Sequence, residues 1–172
     1  HQIRDSNGPA VAAALHTLGV RSISFTGSVP DTMEGTCQAL RRALSDSDCV
    51  ILTGGVSRGD YDFVPAAVKE TGGTIHVHRV RMKPGKPFLF ATSAGGQPIF
   101  GLPGNPLSVL VSFWEFVAPS LRAMMGDARP EVAVVRARLT RDVEVKTRRV
   151  LLAPVILRCE TDLEGILADP VG

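Results

Sequence analysis

Residues 49–70 read CVILTGGVSRGDYDFVPAAVKE, and three kinds of local order follow one another in them. Residues 49–52 are continuously apolar, which suits a strand in a sheet covered on both faces. Residues 53–59 break that pattern with Gly54, Gly55 and Gly59, and residues 63–70 return to helical spacing. Strand, glycine turn and helix together form the repeating unit of an α/β fold. Upstream, Asn7, Gly8 and Pro9 form a cap signal, Val11, Leu15 and Leu18 recur at helical spacing, and Gly19 stops the helix. Residues 20–25 are short and β-branched and read as a strand. Asp31 and Thr32 open a helix whose apolar face carries Met33, Cys37, Leu40 and Leu44, with Arg41 and Arg42 near its carboxyl end, where the macrodipole favours cations. Downstream, residues 74–80 read as a strand in which Ile75 and Val77 alternate with His76 and His78. Residues 88–91 and 98–100, joined by Ser93-Ala94-Gly95-Gly96, read as a hairpin, which places an antiparallel strand in an otherwise parallel sheet. Asn105-Pro106 caps the longest helix, with Leu107, Leu110, Val111, Trp114, Val117 and Leu121 on its apolar side and Pro119 expected to kink or shorten it. The alternation predicts a doubly wound, mostly parallel α/β sheet with helices on both faces and one antiparallel hairpin.

At Gly126-Asp127-Ala128-Arg129-Pro130 a glycine, a proline and charges replace the periodic apolar residues. This predicts a boundary between an α/β domain over 1–127 and a second unit over 130–172. From Glu131 the period falls to two, at Val132, Val134, Arg136, Arg138 and Thr140, then over 150–158 and 166–168, so a small all-β unit is expected. About forty residues are too few for a self-sufficient core, and the unit is either docked on the first domain or cut short. Across the 172 residues, 19 Lys and Arg against 17 Asp and Glu leave a formal +2, and 44% of residues are apolar. That composition excludes a disordered chain and gives no reason to expect nucleic acid as a partner. The apolar runs are broken by Gly, Pro or a charge before the length a bilayer needs, and no signal-peptide layout is present, so no membrane role is expected. Cys37, Cys49 and Cys159 are odd in number and far apart, which offers neither a disulfide framework nor a CxxC metal site and fits a reducing cytoplasm. The chain opens on His1 and closes on Val171-Gly172, and is expected to be a piece of something longer.

Ligands of open α/β sheets bind beyond the carboxyl ends of the strands, where loops meet helix N-termini. Three loops fall there. In TGGVSRGDYD, 53–62, Gly54 and Gly55 let the backbone approach a ligand and Ser57 offers a hydroxyl. Asp60 and Asp62 are out of place beside an anion unless a divalent cation bridges them to it, as carboxylates and phosphate oxygens together hold Mg²⁺; the alternative is a turn with two capping aspartates. In MKPGKPF, 82–88, two prolines and a glycine stiffen the backbone, so Lys83 and Lys86 lose little entropy when they meet an oxyanion; the alternative is an unliganded surface turn. In GLPGNPLS, 101–108, Pro103, Gly104, Asn105 and Pro106 force a sharp entry into the long helix and leave Ser108 at its start; the alternative is a plain cap. His16, His76 and His78 lack the partners of a zinc site, Trp114 reads as helix packing, and Cys37 and Cys49 fall at core positions. Chemistry here is therefore expected to be electrostatic and metal-assisted rather than covalent.

In order and spacing, TGGVSRGDYDF, MKPGKPF and GLPGNPLS, with DSNGPAV at 5–11 and the region of Asp31, resemble the molybdopterin molybdenumtransferase family, which includes MoeA and the gephyrin E domain. The resemblance runs from Ile3 to about Gly126, and the region after Pro130 is similar to the start of the family's C-terminal β-barrel domain. It implies molybdenum cofactor biosynthesis: insertion of molybdenum from molybdate into adenylylated molybdopterin, with Mg²⁺-dependent release of AMP. Transferred by motif, Asp62 is the acidic residue of metal-assisted cleavage and Asp31 a second one in the cleft. Lys83, Lys86 and Ser108 hold molybdate or the terminal phosphate. Gly54, Gly55 and Ser57, flanked by Thr53 and Gly59, cradle the pterin phosphate, and Pro103 and Pro106, with Gly104 and Asn105, shape the pocket. The resemblance also implies a homodimer of the full-length protein, a cytoplasmic location, and molybdopterin adenylyltransferase and molybdoenzymes as protein partners. An acidic residue of the site and two upstream domains then lie outside these residues. Arg58 and Thr147-Arg148-Arg149 depart from the family pattern. Two other readings stand beside this one: a molybdopterin-binding scaffold without catalysis, and a molybdopterin adenylyltransferase, which the KPGKP and LPGNP loops disfavour.

Overall fold

The computed structural model describes residues 4–57, 59, 62–145, 148–160 and 165–171. The expectations placed on Ile3, Arg58, Asp60, Thr147 and Gly172 fall outside them. Helix α1, Asn7–Thr17, starts as predicted, but its cap is Asp5, whose Oδ1 accepts from the N–H groups of Asn7 at 3.0 Å and Gly8 at 3.2 Å. Helix α2, Met33–Asp46, is capped by Thr32, whose Oγ1 accepts from Gly35 N at 3.1 Å. Its Cys37 and Leu40 are buried in the core, as their spacing predicts. Strand β1 (Val50–Thr53), helix α3 (Val64–Glu70) and strands β2 (Thr74–His78), β3 (Met82–Lys83), β4 (Leu89–Thr92) and β5 (Pro98–Leu102) follow.

The main sheet has the order β1-β5-β4-β2, with β1 parallel to β5 and β4 antiparallel to both its neighbours. β4 thus runs against three strands that share a direction, as the hairpin signal predicts. Alternation sorts the side chains to two faces. Phe88, Phe100 and Leu102 pack with Val11 and Ala14 of α1 and with the helical rod after residue 106, while Leu89, Ala91 and Ile99 pack with α2 and α3.

Several elements differ from expectation. Residues 20–25 form no strand. The sheet ends at β1, so this β-branched segment has no neighbour to pair with, and β propensity does not hold an isolated strand. β2 stops at His78 because Arg79 takes φ 75°, rare for a residue with a Cβ, and a register shift between Ile75 and Val77 disturbs the predicted alternation.

The longest rod comprises α4 (Pro106–Ser112), a π-helical turn (Phe113–Val117) and α5 (Ala118–Met124). Its buried face is Val109, Phe113, Val117, Ala118 and Leu121, whereas the predicted Leu107 and Leu110 are 46% and 36% exposed. The wide turn inserts a residue, so a 3.6 period read back from Leu121 falls out of phase before Phe113. Pro119 neither ends nor breaks the rod; with no N–H to give to a carbonyl four residues back, it suits the wide turn. By length and composition Pro106–Met124 is long and apolar enough to cross a membrane, contrary to the reading that no run reaches that length. The buried face just named marks it instead as a core helix.

Strands β6 (Arg138–Leu139), β8 (Val155–Glu160) and β9 (Gly165–Pro170) form a second sheet in the order β6-β9-β8. Residues 132–137 carry the expected period of two but form no strand among the described residues, and Val134 is 88% exposed. The predicted strand over 150–158 is split, because residues 152–154 interrupt it and Pro154 has no N–H to give a ladder. Its first part, β7 (Val150–Leu151), leaves that sheet and pairs in parallel with β3. This pairing ties residues 150–151 to the part of the chain that carries the main sheet.

Candidate functional site

The TGG loop leaves β1 through two residues with positive φ, Gly54 at 82° and Gly55 at 67°, where a side chain would be strained. Gly54 N donates to Leu102 O at 2.9 Å and Val64 N donates to Gly55 O at 3.1 Å. The loop thus satisfies the first N–H of α3, one of the donors that the sequence left to an anion. Val56 anchors the loop from within: it is buried against Gly101, where an added Cβ would stand 2.6 Å from Val56 Cγ1. His78 Nε2 donates to Val56 O at 3.1 Å, which fixes the tautomer with the proton on Nε2. Asp62 is no helix cap. Its Oδ2 accepts from Gly59 N and its own N–H donates to Gly59 O at 3.0 Å, so it closes the end of the loop. Thr53, Ser57 and Gly59 are exposed.

In the GLPGN loop Pro103 is buried, and Gly104, Asn105 and Pro106 are exposed. Asn105 caps α4, its Oδ1 accepting from Ser108 N at 3.2 Å and from Ser108 Oγ at 3.4 Å. A Cβ on Gly104 would lie 3.9 Å from the Gly54 Cα, so the two glycine loops touch. Asn7 adds a third strand of chain to this junction, its Nδ2 donating to Gly104 O at 2.9 Å. Sequence reasoning took Asn7 for a cap; only its place in the DSN motif marked it otherwise.

The lysine loop is held on three sides. Arg79 N donates to Phe88 O at 2.7 Å and Val80 N to Lys86 O at 3.1 Å, closing its base. Leu152 N donates to Lys83 O and Val150 N to Arg81 O, both at 2.9 Å, which pins its outer edge to β7. Gly85, buried and at φ 101°, presses on α4, where a Cβ would come within 2.8 Å of Ser112 Oγ. Ser108 lies one turn from Ser112 on the same helix face, so the lysine loop packs on the face that carries Ser108. The Lys83–Pro84 bond is cis. Lys83 and Lys86 are exposed, and among the described residues no carboxylate pairs with either. The β3–β7 register, extended by one residue, sets Arg149 beside Arg81. That basic neighbour was not found from sequence, since pairing across sixty-odd residues leaves no local signal.

The site residues fall into two sets. Thr53, Gly54, Gly55, Gly104, Pro106 and Asp31 line one cleft of 1410 Å³, together with Asn7. Lys83, Lys86, Asp62, Ser57, Gly59 and Ser108 do not line it. Asp31 is exposed. Among the described residues no group of three His, Cys, Asp or Glu side chains could hold a metal. Cys49, at the foot of β1, is pushed up to about 12 by burial and, second, by the charge of Asp48, so it stays a thiol at neutral pH.

Residues 1–123 match the family model described as "Probable molybdopterin binding domain". This chain belongs to that family. Among curated proteins it is 44% identical over 130 residues to the molybdopterin molybdenumtransferase of Nostoc sp. (strain PCC 7120), an overlap that covers 74% of this chain and 30% of that protein. It is 35% identical over 147 residues to the gephyrin of Dictyostelium discoideum, covering 72% of this chain and 20% of that one. A crystal structure of the molybdopterin biosynthesis MoeA protein from Pyrococcus horikosii superposes with a TM-score of 0.78 at 33% identity, over 99% of this chain and 39% of that one. The chain thus spans a third or so of the molybdopterin proteins it matches, and the three glycine and lysine loops lie within the matched part.

Proposed function

We propose that the chain is the pterin- and oxyanion-binding part of a molybdopterin molybdenumtransferase and acts in molybdenum cofactor biosynthesis. The observation that carries this reading is the contact of the TGG and GLPGN loops beyond two adjacent parallel strands, with two uncompensated lysines on a rigid loop packed against the same helix. In this reading molybdate and adenylylated molybdopterin are the substrates and AMP is released. A water oxygen bonds to the pterin phosphorus as the phosphoanhydride breaks, the bridging oxygen leaves on AMP, the water's proton passes to solvent, and Lys83 and Lys86 oppose the negative charge gathered by the oxyanions. Ser108 is assigned to the same site, where its Oγ would turn from Asn105 Oδ1 to donate to an oxyanion. Gly54 N–H is engaged by Leu102, so the backbone donors for the pterin phosphate are those of Gly55 and Ser57. Thr53 and Gly59 flank that cradle, Pro103, Gly104, Asn105 and Pro106 shape the turn beside it, and Asp31 is the acidic group of the site that lines the cleft, apart from Asp62.

Mg²⁺ fits the residues present, since it takes one or two carboxylates and completes its shell with substrate oxygens and water. Asp62 would hold it through the oxygen that Gly59 does not use; Asp60, the other carboxylate expected to take part, lies outside the described residues. Bound there, the ion would draw electron density from the phosphate being cleaved. A cytoplasmic location, a homodimer of the longer protein and the adenylyltransferase and molybdoenzyme partners belong to the same proposal. Titration calorimetry with molybdate and with ATP tests it: molybdate binding without ATP binding is expected, and the reverse would replace the reading with an adenylyltransferase.

The engagement of Asp62 by the Gly59 amide favours a second reading, a binding module in which this carboxylate only shapes the loop. Asp62→Asn keeps an acceptor for that amide and removes the charge. Cofactor formation that survives the substitution supports the module; turnover lost with molybdate affinity kept or raised supports the enzyme.

A further inference from the structure

Phe88, Phe90, Phe100, Phe113, Phe116 and Trp114 each pack against another ring. Phe25 and Phe63 have no ring neighbour among the described residues, and both line the 1410 Å³ cleft. Phe63 is half-buried, whereas Phe25 is 61% exposed. A lone phenylalanine on a convex surface needs no explanation, but this one is held at the wall of a cleft. The ring edge at Cε2 and Cζ fills the space of a Gly8 side chain, since a Cβ there would stand 2.5 Å from both atoms. The same Cβ would stand 2.8 Å from Asp5 Oδ2, so the ring and this carboxylate oxygen are neighbours over Gly8. Asp5 Oδ1 is taken by the amides of Asn7 and Gly8, which fixes the carboxylate, while Oδ2 accepts from no donor among the described residues. Asn7 Oδ1 is likewise buried without a donor, its Nδ2 being used on Gly104 O. The start of α1 therefore holds an open aromatic ring beside acceptors that lack donors.

We propose that Phe25 and Asp5 seat the heterocycle of the pterin: the ring stacks on Phe25, and the 2-amino and N3–H donors at its pyrimidine edge meet Asp5 Oδ2. This assignment deepens the pterin-binding function proposed for the chain and rests on it. Stacking on an aromatic face suits any flat heterocycle, so the carboxylate decides which. It only accepts, and its free oxygen has lone pairs for two donors. The pyrimidine edge of a pterin offers two donors side by side, whereas the amino group of adenine lies between ring nitrogens that are themselves acceptors and repel a carboxylate. Position agrees with the phosphate cradle. Gly8 follows Asn7, Asn7 is tied to Gly104, and Gly104 touches Gly54, so the seat and the TGG loop meet at one junction of the cleft. Phe63, at the start of α3, adds a second apolar surface to the same cleft. The seat also accounts for Gly8 itself: glycine is a poor helix former in the first turn of α1, and the room it leaves is the room the ring occupies.

Titrating the fluorescence of free pterin with the chain and with three variants tests the seat, with AMP and lumazine, in which an oxo group replaces the 2-amino group, as competitors. The parent chain is expected to prefer pterin to both. Phe25→Ala should weaken pterin binding about tenfold or more. Gly8→Ala displaces the ring while improving the helix, so it should have the same effect with no fall in melting temperature. Asp5→Asn keeps an acceptor for the two α1 amides and turns the other oxygen into a donor. It should weaken pterin about tenfold and abolish the preference over lumazine, which a merely structural role would leave intact. Pterin bound equally by the parent and Phe25→Ala, or a preference over lumazine kept in Asp5→Asn, overturns the seat and leaves the pterin-binding function standing. AMP binding that depends on Phe25 where pterin binding does not assigns the ring to adenine and overturns the proposal. A parent chain that binds no pterin overturns the seat and the pterin-binding function together.

Discussion

Lys83 and Lys86 are fixed by their loop and face solvent without a partner carboxylate among the described residues, so their charge is available to an anion at little entropic cost. Lys83→Ala and Lys86→Ala are each expected to weaken molybdate binding roughly ten- to hundredfold, the worth of a charge-assisted hydrogen bond. Calorimetry should show this with thermal melting unchanged, because neither side chain is part of the core. Cys49 gives a prediction of different sign. Its thiol is pushed up to about 12 from the ordinary cysteine value of 9.0, so the folded state holds a proton that the unfolded state releases earlier. The stabilisation is complete below about pH 9 and is lost as pH rises toward 12. Urea midpoints measured across that window should fall more steeply in the parent chain than in Cys49→Ala. The lysine loop was legible in the sequence because proline and glycine act locally. Asn7 and Arg149 were not, because each owes its place to a partner distant along the chain.

Among the elements, β5 controls the glycine loops. Gly101 leaves room for Val56, and Gly101→Ala would place a Cβ 2.6 Å from Val56 Cγ1 and 3.2 Å from Leu89 Cβ. Overpacking of this kind costs about 1–3 kcal/mol, and pterin affinity should fall further than the melting temperature implies because the TGG loop is displaced. Urea denaturation beside pterin titration checks both. The helices α1, α2 and α3 and the β4–β5 hairpin were read from local pattern, since each buries a periodic face and carries its own turn or cap. The rod over 106–124 was read as one period and is two, offset by the turn at Phe113–Val117. Residues 20–25 and 132–137 carry strand composition without a strand beside them, and composition does not report whether a neighbour exists.

At the scale of the whole molecule, β7 lies along β3, so a strand some sixty-odd residues downstream braces the loop that carries the lysines. Leu152→Pro removes the N–H that reaches Lys83 O. Molybdate affinity is expected to drop severalfold while exchange protection in β4 and β5 is unchanged; unchanged affinity would mean that the brace does not matter to the site. The α/β class and its single reversed strand were legible because they follow from the order of elements, whereas the β3–β7 bridge joins residues that no local pattern relates. The central claim is that distant loops build one oxyanion site against α4. Anomalous scattering from molybdenum in crystals of the whole chain soaked in molybdate tests it most directly. The account predicts a peak between the MKPGKPF loop and the Ser108 end of α4, within reach of Lys83 or Lys86; molybdenum bound away from both lysines, or none bound at all, would contradict it.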